Sequence, residues 1–418
     1  MQGLRIRGGR PLSGSVQVHG AKNSVLPILA ATLLCADVCV LHNCPDLTDV
    51  AAAVDILRHL GCSVERQGDS ITVDARSVTC CDVPDALMRE MRSSIIFLGA
   101  VLSRCGRSEL SFPGGCELGP RPIDLHLGAM RSMGVEVDDG HGSILCQGRP
   151  RGTELTLSFP SVGATENVML SACLAEGTTV LNNAAREPEI VDLQNFLRSM
   201  GADVHGAGSS TVVIEGGGCL HGAEYRVMSD RMVAATYASA VAATGGRVSL
   251  HGVERNVLRP VLEALSAAGC TVSGEGEDIL LSSTGALEGL RRVRTAPYPG
   301  FPTDAQPMLM AALCRSRGTT VFVETMFENR YRQAPELLRM GADIRLEGSV
   351  AVVCGVPQLH AAHICAPDLR GAAALVVAAL NAEGESLVTG LHHLDRGYAR
   401  LEEDLGALGA DIRRINVN

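Results

Sequence analysis

The chain has no tryptophan, and only 5 tyrosines and 7 phenylalanines among 418 residues. Aromatic packing therefore cannot dominate its core, which must rest on Ala, Val, Leu, Ile and Met. An excess of positive charge is also missing: 36 Lys and Arg against 46 Asp and Glu give a net charge of −10. That balance argues against a protein built to coat nucleic acid or an anionic membrane. The longest apolar stretches, around residues 27–41 and 372–380, are too short or too interrupted to span a bilayer. The opening segment Met1-Gln2-Gly3-Leu4-Arg5-Ile6-Arg7 lacks the apolar core of a secretory signal. No Walker loop, dinucleotide fingerprint or His/Glu metal pair is present, so neither a cofactor nor a catalytic metal is expected.

Cysteine and glycine, by contrast, are plentiful, at 15 and 46 residues. The odd cysteine count forms no disulfide framework, and Cys35/Cys39 and Cys80/Cys81 have no partner pair at zinc-ribbon spacing. A reducing cytoplasm is expected, with most thiols acting as small buried hydrophobes.

The glycines expose a repeat. Leu57-Arg58-His59-Leu60-Gly61 is echoed by Met130-Arg131-Ser132-Met133-Gly134, Leu197-Arg198-Ser199-Met200-Gly201 and Leu265-Ser266-Ala267-Ala268-Gly269. Leu337-Leu338-Arg339-Met340-Gly341 and Leu405-Gly406-Ala407-Leu408-Gly409 complete the set. The glycines lie 73, 67, 68, 72 and 68 residues apart. Each copy reads as a helix end, a C′ glycine and a strand. Upstream lie glycine-led strands such as Gly177–Leu181 and Gly318–Val323, preceded by apolar helical runs such as Val168–Ala175 and Met308–Leu313. Six α/β modules of about 70 residues, divided into two domains of three, are expected.

Reactive-looking residues concentrate in the links between modules. Pro113-Gly114-Gly115-Cys116-Glu117-Leu118-Gly119-Pro120-Arg121-Pro122 holds three glycines and three prolines in ten residues, so it is a loop. Its cysteine is accessible, and a nearby arginine favours the reactive thiolate. Gly20-Ala21-Lys22-Asn23-Ser24 opens a helix, either as an anion-receiving terminus or as an ordinary cap with a solvated lysine. Phe159-Pro160-Ser161-Val162-Gly163 is a ligand-contacting turn or an N-terminal cap. Asp304, in Phe301-Pro302-Thr303-Asp304, is a helix cap or a base for a bound hydroxyl. Arg89 and Arg92 precede the cysteine loop, and Arg330, Arg370 and Arg396 sit at later junctions, where a guanidinium fork suits carboxylates and phosphates.

Together these motifs resemble the UDP-N-acetylglucosamine enolpyruvyl transferases over essentially the whole chain. The carriers are Gly20–Asn23, Pro113–Cys116 with Arg121–His126, Ser161–Asn167, Phe301–Asp304, Phe327–Arg330 and Asp395–Tyr398. The resemblance implies an α/β (α+β) protein of two inside-out α/β barrel domains, each of three βαβαββ units, with the active site in the cleft between them. Residues 21–229 would form the catalytic domain carrying the cysteine loop (113–122), and residues 1–20 with 230–418 the second. It further implies transfer of the enolpyruvyl group of phosphoenolpyruvate to the 3′-hydroxyl of UDP-N-acetylglucosamine, with release of phosphate through a tetrahedral intermediate. Cys116 matches a general acid that fosfomycin alkylates, Asp304 the acceptor of the sugar hydroxyl proton, and Asp368 a carboxylate implicated in proton transfer. Lys22, Asn23, Arg121 and Arg396 match positions near phosphoenolpyruvate, with Arg330 and Arg370 completing the anion cage. Arg92, Arg121, Pro122, Ile123, Asp124, Leu125, Phe159, Pro160, Ser161, Val162, Asp304 and Met326 match nucleotide-sugar contacts. No cofactor, metal, nucleic acid or membrane insertion is implied, and a bacterial cytoplasmic monomer is expected.

The chain departs from the family pattern at Met232–Thr236, which lacks the usual Glu and Gly, at Tyr298 in place of His, and at Glu117 and Pro120. The alternatives are a transferase acting on shikimate 3-phosphate, which lacks the cysteine loop, and a non-catalytic paralogue that binds nucleotide sugar.

Overall fold

Six helices carry apolar or small residues on every side, and such a helix is stable only when it is surrounded. In the computed structural model, which describes residues 2–91, 93–111, 123–140 and 142–417, all six are buried along most of their length. They are Lys22–Ala31, Phe97–Cys105, Val162–Ala172, Arg231–Thr244, Gln306–Leu313 and Leu369–Leu380. The chain divides into two compact units, each holding three of these helices. A central unit spans the described residues of 20–228. A terminal unit joins residues 1–19 to 229–418.

Within each unit, helices pack directly on helices. The scarcity of aromatics now has a use, because small side chains let the backbones approach closely. At Gly99, an added Cβ would lie 2.5 Å from the carbonyl oxygen of Asn167 on the neighbouring helix. In the terminal unit the three central helices touch one another, and Arg231–Thr244 presents Ala234, Ala235, Ala238 and Ala242 to the core.

Three four-stranded sheets belong to each unit, all of one design. A parallel edge strand pairs with the strand after the buried helix, and two further antiparallel strands complete the sheet. Asp82–Val83, for example, runs parallel to Arg107–Ser111, with Asp82 opposite Glu109. Arg107–Ser111 then pairs antiparallel with Ser143–Gln147. Alternation decides which face is buried: in Thr211–Glu215 the inward residues are Val212 and Ile214.

Two sheets of the terminal unit are completed by the first strands of the chain. Gln2–Arg7 lies between Glu385–Thr389 and Asp411–Asn416, and Leu12–Gln17 runs parallel to Gly246–His251. The central unit is closed in the same manner by Glu224–Arg226 beside Val38–His42.

Outer helices such as Thr48–His59, Asp124–Ser132 and Pro188–Ser199 are buried on one side only. Each repeat glycine follows one of the six outer helices, with φ values of 102, 81, 94, 105, 90 and 101° at Gly61, Gly134, Gly201, Gly269, Gly341 and Gly409. This is the helix end, C′ glycine and strand expected from the repeat, and the fold is the expected α/β class.

Two glycines around one outer helix separate backbone strain from helix propensity. Gly134 has φ 81° and Gly128 lies inside Asp124–Ser132; an added Cβ at either meets nothing within 4 Å among the described residues. Gly134→Ala should lower stability by about 1–2 kcal/mol, the cost of a left-handed residue. Gly128→Ala should raise it by roughly 0.5–1 kcal/mol. Urea unfolding of the two variants checks this, and shifts of the same sign would contradict it.

Candidate functional site

In the central unit, the turn before the first buried helix has no slack. A Cβ on Gly20 would lie 1.7 Å from the carbonyl oxygen of Asn43, and the Ala21 N–H donates to Met228 O at 2.7 Å. Asn43 is itself held by its Nδ2, which donates to Val227 O at 2.9 Å. Ala21 is the N-cap and supplies no side-chain cap. Lys22 follows with its side chain buried rather than solvated, its Nζ 2.5 Å from Oδ2 of the equally buried Asp49. Asn23 is exposed beside it.

One turn along, Ser24 Oγ donates to Asp192, which also accepts from Tyr225 OH at 2.6 Å and Met228 N at 3.2 Å. Burial nevertheless raises the Asp192 carboxyl above its ordinary range. Asp192 thus ties the helix start to the last strand of the unit. It carries no motif, and only its tertiary neighbours reveal its place.

Cys116, Arg121 and Pro122, with Arg92, lie outside the described residues. Residues 112–122 join the strand Arg107–Ser111 to the helix Asp124–Ser132, where Asp124 is exposed and Ile123 and Leu125 are half-buried. The anchor of that helix is His126. Its Nδ1 lies 2.8 Å from Asn167 Nδ2, so the ring accepts there. Asn167 Nδ2 donates also to Ile95 O at 3.0 Å, and its Oδ1 accepts from Gly99 N at 2.7 Å.

Gly163 makes room for this ring, since a Cβ there would meet His126 Cε1 at 3.0 Å. Burial lowers His126 to about 4, with Asp124 acting weakly in the opposite direction. Next to Asn167, Glu166 is pushed well above the usual carboxylate range by burial and by Glu189 and Glu187. In the preceding turn, Ser161 is the N-cap and accepts from Ala164 N at 3.4 Å. Pro160 and Val162 are half-buried, whereas Phe159 is 42% exposed.

In the terminal unit, Asp304 does not cap the helix Gln306–Leu313, whose N-cap is Ala305. Its two oxygens instead receive two arginines: Arg330 Nη2 at 2.7 Å and Arg370 Nε at 3.1 Å. Both guanidiniums are buried, while the carboxylate is 30% exposed. Arg330 also donates twice to Thr303 O, at 3.1 and 3.0 Å.

Arg370 donates to Tyr398 OH at 3.1 Å, and Tyr398 shares a 2.8 Å hydrogen bond with Thr236. Burial opposes the charge of Arg370, but Tyr398, Asp304 and Asp230 outweigh it and raise its pKa. Asp368 caps the helix that bears Arg370, its Oδ1 accepting from Arg370 N and Gly371 N at 3.0 and 2.9 Å. The other oxygen, Oδ2, is buried with no hydrogen-bond partner among the described residues. Such an atom is costly unless something else satisfies it.

Sequence reasoning overlooked Glu324. This buried residue accepts from Thr295 Oγ1 at 2.8 Å, Met326 N at 2.7 Å and Thr303 Oγ1 at 3.0 Å. It thereby joins three loops and orients both the half-buried Met326 and the residue before Asp304. Arg396 is half-buried in the turn before Tyr398; its neighbour Asp395 is taken by Arg414 at 2.7 Å. Two departures from the family pattern also acquire contacts: Thr236 on Tyr398, and Tyr298, whose ring lies 5.6 Å below the Arg231 guanidinium. The structure therefore joins Asp304, Arg330 and Arg370 directly, with Asp368 bonded to the Arg370 backbone N–H, and sets Lys22 against Asp49.

Comparison with known proteins gives a full-length match. The family model described as EPSP synthase (3-phosphoshikimate 1-carboxyvinyltransferase) matches residues 6–405. A protein of Caldanaerobacter subterraneus subsp. tengcongensis named UDP-N-acetylglucosamine 1-carboxyvinyltransferase 2 is 50% identical over 413 residues, covering 99% of each chain. One of Zymomonas mobilis subsp. mobilis, named UDP-N-acetylglucosamine 1-carboxyvinyltransferase, is 47% identical over 425 residues, covering 99% of this chain and 100% of its own. The crystal structure of the enolpyruvyl transferase NikO from Streptomyces tendae matches with a TM-score of 0.89 at 28% identity, covering 100% of this chain and 99% of that one.

The buried imidazole sets an acid limit on stability. With a folded pKa of about 4 against an ordinary value of 6.5, His126 binds its proton more readily in the unfolded chain. Its contribution is level above pH 6.5 and falls through the window down to pH 4, by roughly 3 kcal/mol in all. His126→Asn keeps an acceptor near Nδ1 but does not titrate. Its unfolding free energy relative to the parent should therefore improve as pH falls through that window; a constant difference would contradict the assignment.

Proposed function

The chain belongs to the EPSP synthase family of enolpyruvyl transferases, and from that premise we propose that it transfers the enolpyruvyl group of phosphoenolpyruvate to the 3′-hydroxyl of UDP-N-acetylglucosamine. Phosphate is released, and the product enters peptidoglycan synthesis. The observation that carries this reading is the near-complete, high-identity match to relatives named for that activity.

In the first step the sugar oxygen bonds to C2 of phosphoenolpyruvate, its proton leaves to a base, and an acid protonates C3. In the second, C3 loses a proton and the C2–O bond to phosphate breaks, restoring the double bond. Asp304 is the base. Each of its oxygens keeps a second lone pair beside the arginine contact, and its partial exposure lets a hydroxyl reach it. Arg330 and Arg370 act through Asp304 by fixing its orientation, and their charge completes the cage for the substrate anions. Cys116 is the acid at C3 and the target of fosfomycin. Asp368, whose Oδ2 has no hydrogen-bond partner among the described residues, takes part in proton transfer.

Lys22, Asn23, Arg121 and Arg396 hold phosphoenolpyruvate. The sugar nucleotide is held by Arg92, the run Arg121–Leu125, the turn Phe159–Val162 and Met326, with the exposed Phe159 ring offering a face on which a base can stack. Residues 21–229 form the cysteine-bearing domain of this reading, and residues 1–20 with 230–418 the other. No cofactor is needed. Among the described residues, no helix is long and apolar enough to cross a membrane. The enzyme in this reading works in the bacterial cytoplasm as a monomer.

Phosphate release should require both substrates together. Release with shikimate 3-phosphate instead would support the rival specificity, and tight sugar-nucleotide binding without turnover would point to a non-catalytic paralogue. Arg396→Ala should raise the KM for phosphoenolpyruvate more than that for the sugar. Cys116→Asp should retain turnover and resist alkylation by fosfomycin; equal alkylation would place the reactive group elsewhere.

Asp304→Asn should lower kcat by about 10²–10⁴-fold, the range for loss of an acid–base group. It should also cost stability on the order of 3 kcal/mol, because two buried guanidiniums lose their counter-charge. Unchanged turnover in that variant would remove Asp304 as the base.

A further inference from the structure

The repeat makes one cluster in the central unit conspicuous. At each helix end the scaffold needs only a C′ glycine and a returning segment that bonds to the carbonyl before it. Cys80 N donates to Leu60 O in the first repeat, just as Arg151 N, His221 N and His360 N donate to Met133 O, Met200 O and Met340 O in later ones. The side chains at these positions are free to vary. The last helical residue is Ser132, Ser199 or Arg339 in those copies, but His59 in the first. Only there do an imidazole, a thiol and a carboxylate meet: His59, Cys80 and Asp82 form the one such group found among the described residues.

We propose that His59, Cys80 and Asp82 form an open three-ligand site for a thiophilic divalent cation of the zinc class. His59 Nε2 lies 3.8 Å from Cys80 Sγ and 3.6 Å from Asp82 Oδ2, and Cys80 Sγ lies 2.8 Å from Asp82 Oδ1. Ligands held tetrahedrally at zinc distances of about 2.0–2.3 Å are separated by roughly 3.5 Å, so small side-chain adjustments suffice. The donor set of one imidazole, one thiolate and one carboxylate suits a borderline-soft ion and neutralises its two charges. Binding releases the Cys80 thiol proton to solvent. His59 keeps its other ring proton on Nδ1, and water fills the fourth position.

The backbone under these ligands is already ordered. Thr79 N and Cys80 N both donate to Leu60 O, at 3.1 and 3.3 Å. At Gly61 a Cβ would lie 2.6 Å from Ser77 O, so the glycine lets the returning segment come this close. Asp82 is fixed by its parallel pairing with Glu109, whose N–H donates to Cys81 O at 3.0 Å. His59 and Asp82 are exposed and Cys80 is half-buried, which gives an ion access from solvent. An ion here would join the end of the helix Thr48–His59 to the edge strand beside Arg107–Ser111.

The test uses the full chain, stripped of metal by a chelator and titrated with Co²⁺ as a spectroscopic probe, then with Zn²⁺. Saturable binding of one ion with a thiolate-to-cobalt charge-transfer band, displaced by Zn²⁺, is expected. Cys80→Ser should abolish the band, and His59→Ala should weaken binding by at least about 10-fold. Cys105→Ser and Cys116→Ser should retain it. Phosphate release by the metal-free Cys80→Ser, His59→Ala and Cys105→Ser variants, and the circular dichroism spectrum of Cys116→Ser, report that they are folded. A band that survives Cys80→Ser, one that disappears in Cys105→Ser or Cys116→Ser instead, or no saturable binding at all would overturn the site.

Discussion

Burial of the six central helices along most of their length is the constraint from which the rest follows. A helix surrounded on all sides cannot display chemistry along its length, so functional groups must collect at its ends. Lys22, Val162, Arg231, Gln306 and Leu369 open five of the six helices, and the candidate groups lie within a few residues of these positions. Helix N-termini present unsatisfied N–H groups and the positive end of the dipole, which suits substrates bearing phosphate and carboxylate. The small side chains that let these helices pack also explain how a core can be built with so few aromatics.

Around Asp304 the same economy appears in electrostatic form. Two buried guanidiniums require a counter-charge, and one partly exposed carboxylate supplies it to both. The arrangement holds Asp304 from two loops at once, and Glu324 fixes the residue before it from a third direction. Arg370 passes the constraint onward to Tyr398 and Thr236, on another central helix. The proposed base is thereby held in one orientation by its protein neighbours alone.

Much of the fold was legible in the sequence because its signals are local and repeated. A glycine after a helix, an apolar run without a polar face and a glycine-led strand each act within a few residues, and six copies make the pattern unmistakable. Lys22, Asp304, Arg330 and Arg370 could be singled out from composition and loop chemistry. Their partners could not. The sequence leaves the Lys22 amine open between water and an anion, and it does not point to Asp49, which holds it in the interior. Asp192 and Glu324 gave no signal, since a buried acid reads like any other acid until its donors are known. His59 and Cys80 are ordinary residues 21 positions apart in sequence and become neighbours only where the returning segment meets Leu60.

The sequence by itself determined the α/β class, the six modules and the family, because periodicity and short motifs are written in neighbouring residues. Tertiary structure alone decided which charges pair, as Arg330 and Arg370 do on Asp304 across 26 and 66 residues. It also decided which chain segments close each unit, such as Gln2–Arg7 between two strands from the far end of the chain. Those outcomes depend on desolvation and on distances across the packed core, and neither is set by residues adjacent in sequence.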